Sequence, residues 1–178
     1  MTKAIFFDRD GTINVEPPDE IVDSIEKVKL LPSTIPALKL LKQTDFKLFF
    51  VTNQIGISQG RLDETKFHQL NNQIIHLFEP AGVKIEATYF CPHSPANNCN
   101  CRKPKPGMIE KAQQEHNLDL SNSWVIGDRD SDILLGKTIG CKTIRVRTGF
   151  TGKSRVKPNY EAENLLEAVK IILSSITP

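Results

Sequence analysis

No stretch of this sequence approaches the ~20 apolar residues that a membrane-spanning helix needs. The opening MTKAIFFDRD has only four apolar residues in a row before charges begin, too short for a signal-peptide core. Surplus charge is lacking as well. Lys plus Arg number 23 against 21 Asp plus Glu, which removes the electrostatic reason to expect nucleic acid or an anionic membrane as a partner. No internal repeat, low-complexity tract or linker divides the chain. The expectation is therefore one domain, 1–178, in the cytoplasm, burying roughly 70% of the surface its unfolded form would expose; a monomer is favoured, though the sequence does not read the oligomeric state.

Cysteine is scarce, four residues in all, but three of them (Cys91, Cys99 and Cys101) fall within eleven positions. In a reducing compartment such a cluster points to metal binding before disulfide formation. With His93 it offers three thiols and an imidazole, a set that can close a tetrahedral zinc site with no open position. The spacings are tighter than those of a usual zinc finger. The intervening Pro92, Pro95, Asn97 and Asn98 supply little apolar content, so a loop of this kind needs a staple to be ordered.

Short apolar runs alternate with amphipathic stretches. Residues 4–7, 48–51, 87–90, 124–126 and 143–146 have the composition of strands, and three of these runs are almost continuously apolar, as in a parallel sheet covered on both faces. Ser33 is placed to cap a helix carrying Leu38, Leu40 and Leu41, with Pro36 in its first turn. Asp63 is placed to cap another carrying Phe67, Leu70, Ile74 and Phe78. Helices are also expected over about 107–116, 131–137 and 161–173. Strand and helix in alternation give a doubly wound, Rossmann-like α/β fold with a parallel sheet.

The residues that follow the strands carry the chemical information. They are Asp8-Arg9-Asp10-Gly11-Thr12, Thr52-Asn53-Gln54, Cys91-Pro92-His93 and Gly127-Asp128-Arg129-Asp130. Ligands of open α/β sheets bind at the carboxyl ends of strands, so a site assembled from distant parts of the chain is expected. From residue types alone, Asp8 and Asp10 could form a metal site, an acid/base pair, or a nucleophile with its acid. Thr12 has a hydroxyl able to hold a carboxylate.

FFDRDGTIN, VTNQIGISQG, CRKPKPGM and IGDRDSD, in that order, resemble the four motifs of the haloacid dehalogenase (HAD) superfamily of phosphohydrolases over about residues 4 to 149. The resemblance implies a HAD-like core and a Mg²⁺-dependent phosphomonoester hydrolase acting on a small phosphorylated metabolite. Asp8 would be the nucleophile, forming an aspartyl-phosphate, and Asp10 the general acid and base. Thr52, Asn53, Arg102 and Lys103 would bind phosphate. Asp8, the Asp10 carbonyl and Asp128 would hold Mg²⁺, with Asp132 in support and Asp130 a weaker candidate. No insert is long enough for a large cap domain. The loop Cys91, His93, Cys99, Cys101 resembles the Zn²⁺ loop of one branch of the superfamily, and there it would set the position of Arg102 and Lys103.

That branch implies two substrates, D-glycero-D-manno-heptose 1,7-bisphosphate and histidinol phosphate. DRDGTINV, PKPGM and VRTG favour the first; the short gap from His93 to Cys99, the EPP of 16–18 and the GDR of 127–129 favour the second. Two non-enzymatic alternatives are a phosphorylated receiver and a zinc-stabilised phospho-binding domain. The receiver would place its acceptor after the third strand, where Cys91 stands, and the binding domain would have no need of Asp10, Thr52, Lys103 and Asp128 together. His68, His76 and His116 are expected to be solvated, and Lys27 and Lys29 to lie on an exposed face. Cys141 is expected to be a buried small hydrophobe. Arg145 and Arg147 could hold a second anionic group or pair with a neighbouring acid.

Overall fold

The computed structural model describes residues 1–176, so Thr177 and Pro178 of the expected unit lie outside it. Six parallel strands form one sheet in the order β3-β2-β1-β4-β5-β6: β1 (Ala4–Phe7), β2 (Lys47–Asn53), β3 (Ile85–Cys91), β4 (Trp124–Gly127), β5 (Lys142–Val146) and β6 (Tyr160–Ala162). The helices are α1 (Thr34–Leu41), the short α2 (Ile55–Ser58), α3 (Glu64–His76), α4 (Gly107–His116), α5 (Asp130–Thr138) and α6 (Leu165–Ile176). This is the doubly wound α/β core expected of a HAD-like protein, with no large separate cap among the described residues.

Strand β1 is completely buried because it lies between β2 and β4 and is covered on both faces. Ile5 and Phe7 point into the core that α1 and α6 close, whereas Ala4 and Phe6 point into the core on the α4 side. Burying side chains of this size stabilises the fold by about 1.5–3 kcal/mol each. Alternating apolar residues of one strand thus supply two cores, which is why the run has to be apolar throughout.

Local signals mostly hold. Asp63 caps α3, its side chain accepting from Lys66 N at 2.7 Å. Ser33 precedes α1 but its hydroxyl makes no cap bond; the neighbouring Thr34 hydroxyl instead donates to Ile13 O at 2.6 Å. Strand β6 was not anticipated. Tyr160–Ala162 pairs with β5, and the last helix begins only at Leu165. Three residues carry too little pattern to mark a strand, and their pairing with an existing edge decides the matter.

The chain winds outward from β1 to β2 and β3, then crosses back to β4 and continues outward to β6. The reversal falls between β1 and β4, and a crevice opens there at the carboxyl ends. Asp8 N donates to Ile126 O at 2.9 Å, so the residue after β1 is registered against β4 before any side chain is considered.

Candidate active site

Asp8, Asp10, Thr52, Asn53, Arg102 and Lys103 line one cavity of about 180 Å³ at this crevice, with Glu16, Glu20 and Arg129 at its wall. The volume is below the ~300 Å³ of a typical small-molecule pocket and is matched to a phosphoryl group rather than to a whole substrate. Asp128 does not line the cavity; it is 1% exposed and brings a carboxylate oxygen within 4.8 Å of one from Asp8.

The Lys103 ammonium makes three short contacts, to Asp132 Oδ1 at 2.6 Å, Asp8 Oδ1 at 2.7 Å and Val51 O at 2.9 Å. Burial works against its charge, but the carboxylates of Asp132 and Asp8 outweigh burial and hold it above the ordinary lysine range. Asp8 Oδ1 also accepts from Arg9 N at 2.8 Å. Both donors converge on one oxygen, and Oδ2 has no hydrogen-bond donor among the described residues. Burial pushes the Asp8 carboxyl well up; Lys103 offsets part of this, while Asp132 and Asp128 add to it.

Asp8, Asp128 and Asp132 bring carboxylate oxygens within 4.8 Å of one another. Asp128 Oδ2 accepts from Phe150 N at 2.7 Å, whereas the buried Oδ1 has no partner. A buried orphan carboxylate oxygen beside two further acids is a fit for a hard divalent cation, which takes oxygen ligands. Such an ion would add positive charge to that of Lys103 and so oppose the upward push of burial on the Asp8 carboxyl. The approach to Asp128 depends on glycine: a Cβ on Gly11 (φ +84°) would stand 2.6 Å from Asp128 Oδ2, and one on Gly149 would stand 2.6 Å from Gly11 Cα. The Thr148 hydroxyl donates to Gly11 O at 2.6 Å.

Asp10 points away from the acidic cluster. Its Oδ1 accepts from Arg9 Nε (3.1 Å) and Asn14 Nδ2 (2.8 Å), and its Oδ2 from an Arg9 terminal nitrogen (2.9 Å) and Gln54 Nε2 (2.9 Å). Burial raises its pKa, but the Arg9 charge and these hydrogen bonds win and hold the carboxyl below its usual value. Arg9 is completely buried, its guanidinium 5.3 Å from the Phe67 ring centroid. Gln54 and Arg9 were overlooked in the sequence, although one directly follows Thr52-Asn53 and the other separates the two acids. Neither is a residue type that announces catalysis.

Other residues fall outside the cluster. Thr12 Oγ1 is buried without a partner, so it holds no carboxylate. Asp130 instead pairs with Arg145 at 2.5 Å and accepts from Arg155 N at 2.8 Å. Arg145 is therefore the partner of an acid, and Arg147 likewise pairs with Glu161 and Glu163. His68 and His76 are exposed, while His116 is half-buried, its ring centroid 4.9 Å from that of Phe49 in an edge-to-face pair.

Beside the cavity stands the Cys3His cluster. Cys101 Sγ lies 3.2 Å from Cys91 Sγ, 3.4 Å from Cys99 Sγ and 3.2 Å from His93 Nδ1; Cys91 Sγ lies 3.6 Å from both Cys99 Sγ and His93 Nδ1. Four thiolate or imidazole donors at about 2.3 Å from a common centre would be roughly 3.5–3.8 Å apart, so the cluster is a metal-binding site slightly contracted. Burial pushes the Cys91 thiol up to about 12. Burial also opposes ionisation of Cys99, but hydrogen bonds, the Cys101 thiol's first among them, bring it down to about 6. Arg102, next in sequence, donates to His93 O at 3.1 Å.

A family model described as HAD-hydrolase-like matches residues 100–170. D-glycero-beta-D-manno-heptose-1,7-bisphosphate 7-phosphatase of Pasteurella multocida is 37% identical over 181 residues, 97% of each chain. The histidine biosynthesis bifunctional protein HisB of Blochmanniella floridana is 43% identical over 144 residues, 80% of this chain but only 40% of that relative's length. Among solved structures, D,D-heptose 1,7-bisphosphate phosphatase from B. bronchiseptica, complexed with magnesium and phosphate, superposes with a TM-score of 0.89 at 27% identity, covering 97% of this chain and 99% of its own. With a relative this similar along its whole length, and with the strand-end acids, lysine and threonine converging on one cavity, the chain belongs to the HAD superfamily of phosphatases.

Proposed function

We propose that the chain, as a single domain, hydrolyses the 7-phosphate of D-glycero-D-manno-heptose 1,7-bisphosphate through an aspartyl-phosphate on Asp8. The observation that carries the reading is Asp8 itself: it lines the cavity, Lys103 and Arg9 N hold one carboxylate oxygen, and the other has no donor among the described residues.

In the first step Asp8 Oδ2 attacks phosphorus and the bond from phosphorus to the sugar oxygen breaks. Asp10, whose acceptor positions are filled in the free protein, exchanges one of those donors for a proton and gives that proton to the departing alcohol. In the second step Asp10 takes a proton from water, whose oxygen attacks the same phosphorus. The bond from phosphorus to Asp8 then breaks, the carboxylate is restored and inorganic phosphate leaves. Thr52, Arg102 and Lys103 hold the phosphoryl oxygens as charge builds on them. Asp8, Asp128 and the main-chain carbonyl of Asp10 are the residues to hold Mg²⁺, which when bound reduces the repulsion between anionic nucleophile and anionic substrate. In the Cys3His loop we assign Zn²⁺ a structural role, since all four positions are filled by protein and none is left for substrate. Its thiolates require the reducing conditions of a cytoplasm.

The heptose substrate is supported by whole-length similarity to phosphatases of that name. A second reading, histidinol phosphate, is supported by the higher identity to HisB. Phosphate release from the two substrates, measured side by side with Mg²⁺, tests this. A preference of a hundredfold in kcat/KM, about 2.7 kcal/mol, decides between them. Release from neither removes both.

A further inference from the structure

We propose that Gln54 is a positioning residue of this site: it directs the Thr52 hydroxyl proton toward the phosphoryl group and ties the Asp10 carboxylate to Thr52. The inference rests on the reading of Asp8 as nucleophile and Asp10 as acid and base.

Gln54 is 4% exposed and lies between β2 and α2, its main-chain N donating to Cys91 O at 2.8 Å. Its side chain is spent completely. Nε2 donates to Asp10 Oδ2 at 2.9 Å and to Thr52 Oγ1 at 2.8 Å, and Oε1 accepts from Arg9 at 3.2 Å. The amide can be oriented only one way. Arginine has no acceptor and a carboxylate has no donor, so the oxygen must face Arg9 and the nitrogen Asp10.

Two consequences follow for the reacting groups. Thr52 Oγ1 receives its hydrogen bond from Gln54 and donates none to the described residues, so its own proton is free for an acceptor in the cavity it lines. Without the Gln54 donor, the Thr52 hydroxyl could turn and donate to Asp10 or to Gln54's replacement. Asp10 has about four acceptor positions, and Arg9, Asn14 and Gln54 occupy them two on each oxygen. Arg9 is bidentate and Asn14 holds the opposite oxygen, so the Gln54 bond is the one that relates the acid/base to the group binding the phosphoryl oxygen.

The test is phosphoenzyme formation by rapid quench, in wild type, Gln54→Met and Gln54→Glu. Met keeps the volume and removes all three bonds; Glu keeps the shape and the Arg9 contact but loses both donors. Each is given p-nitrophenyl phosphate, whose leaving phenolate needs no proton, and the faster of heptose 1,7-bisphosphate and histidinol phosphate, whose alcohol does. A cooperative melt and unchanged metal content in the Cys3His loop establish that a variant is folded, and either variant alone suffices. The expected result is a loss of roughly a hundredfold with the alkyl phosphate, at saturating substrate, against less than about tenfold with the nitrophenyl ester. Equal losses with both, or a change confined to KM, would overturn the assignment. Wild type that forms no phosphoenzyme with either compound instead overturns the reading of Asp8.

Discussion

The carboxamide of Asn53 and the main chain of Lys103 form a reciprocal pair, Asn53 Oδ1 accepting from Lys103 N at 3.0 Å and Asn53 Nδ2 donating to Lys103 O at 3.3 Å. The end of β2 thereby grips the residue that leaves the Cys3His loop. From that grip the ammonium reaches Asp8, a residue 95 positions away in sequence. Asn53 lines the cavity as the motif implies, but its amide is occupied in holding the lysine.

Asn53→Ala is therefore expected to act through Lys103. The lysine main chain loses both bonds, and kcat should fall roughly tenfold to a hundredfold, with KM changing less. Steady-state kinetics check this; an increase in KM alone would mean that Asn53 binds substrate directly.

Asp8→Asn should abolish turnover while leaving the fold and the metal of the Cys3His loop in place. It should also raise the Tm of the magnesium-free protein. The Asp8 carboxyl is pushed above its unfolded value by burial and by the neighbouring acids. Its contribution to stability is thus full below the unfolded pKa and is lost as pH rises through the folded one. At neutral pH the metal-free wild type carries that cost and the asparagine variant does not. Melts at pH 5 and pH 8 without divalent ions should show the advantage of the variant growing with pH. No difference between the two proteins at either pH would contradict it.

Magnesium should reverse the same penalty. Adding Mg²⁺ to wild type at pH 8 is expected to raise Tm, with about 2–4 °C for each kcal/mol of binding linkage in a chain of this size. In Asp128→Asn, which retains a hydrogen-bond acceptor for Phe150 N but loses the charge, most of the shift should disappear. Thermal scans with and without Mg²⁺ read both effects.

Loading the Cys3His loop at pH 7.5 should release about two protons. Cys99, brought down to about 6, is already a thiolate there, whereas Cys91, at about 12, and Cys101, also raised, are thiols. Titration calorimetry of Zn²⁺ binding in two buffers of different ionisation enthalpy counts the protons. Removing the metal should cost activity as well, because Lys103 follows the loop directly.

Arg147→Ala should leave kcat/KM within about twofold and Tm within about 2 °C. The side chain is exposed and occupied with Glu161 and Glu163. An activity loss of tenfold or more would return Arg147 to the substrate site.

Much of this protein is determined by its sequence alone. Continuous apolar runs mark buried parallel strands, since only a strand covered on both faces loses all contact with water. The four ordered motifs that carry Asp8, Asp10, Thr52, Lys103 and Asp128 mark the reaction through their resemblance to the HAD superfamily; the residue types alone leave several chemistries open. The clustering of three Cys with a His in a loop of little apolar content, together with the resemblance, marks a metal loop. Tertiary structure alone decides which of two plausible tasks each side chain performs. Asn53 holds Lys103, Arg145 pairs with Asp130, Thr12 goes without a partner, and Gln54 and Arg9 enclose Asp10. The reason is physical. A hydrogen bond or ion pair depends on distances of about 3 Å between groups whose separation along the chain is unconstrained by local pattern, so residue type states what a group is able to do and only packing settles what it meets.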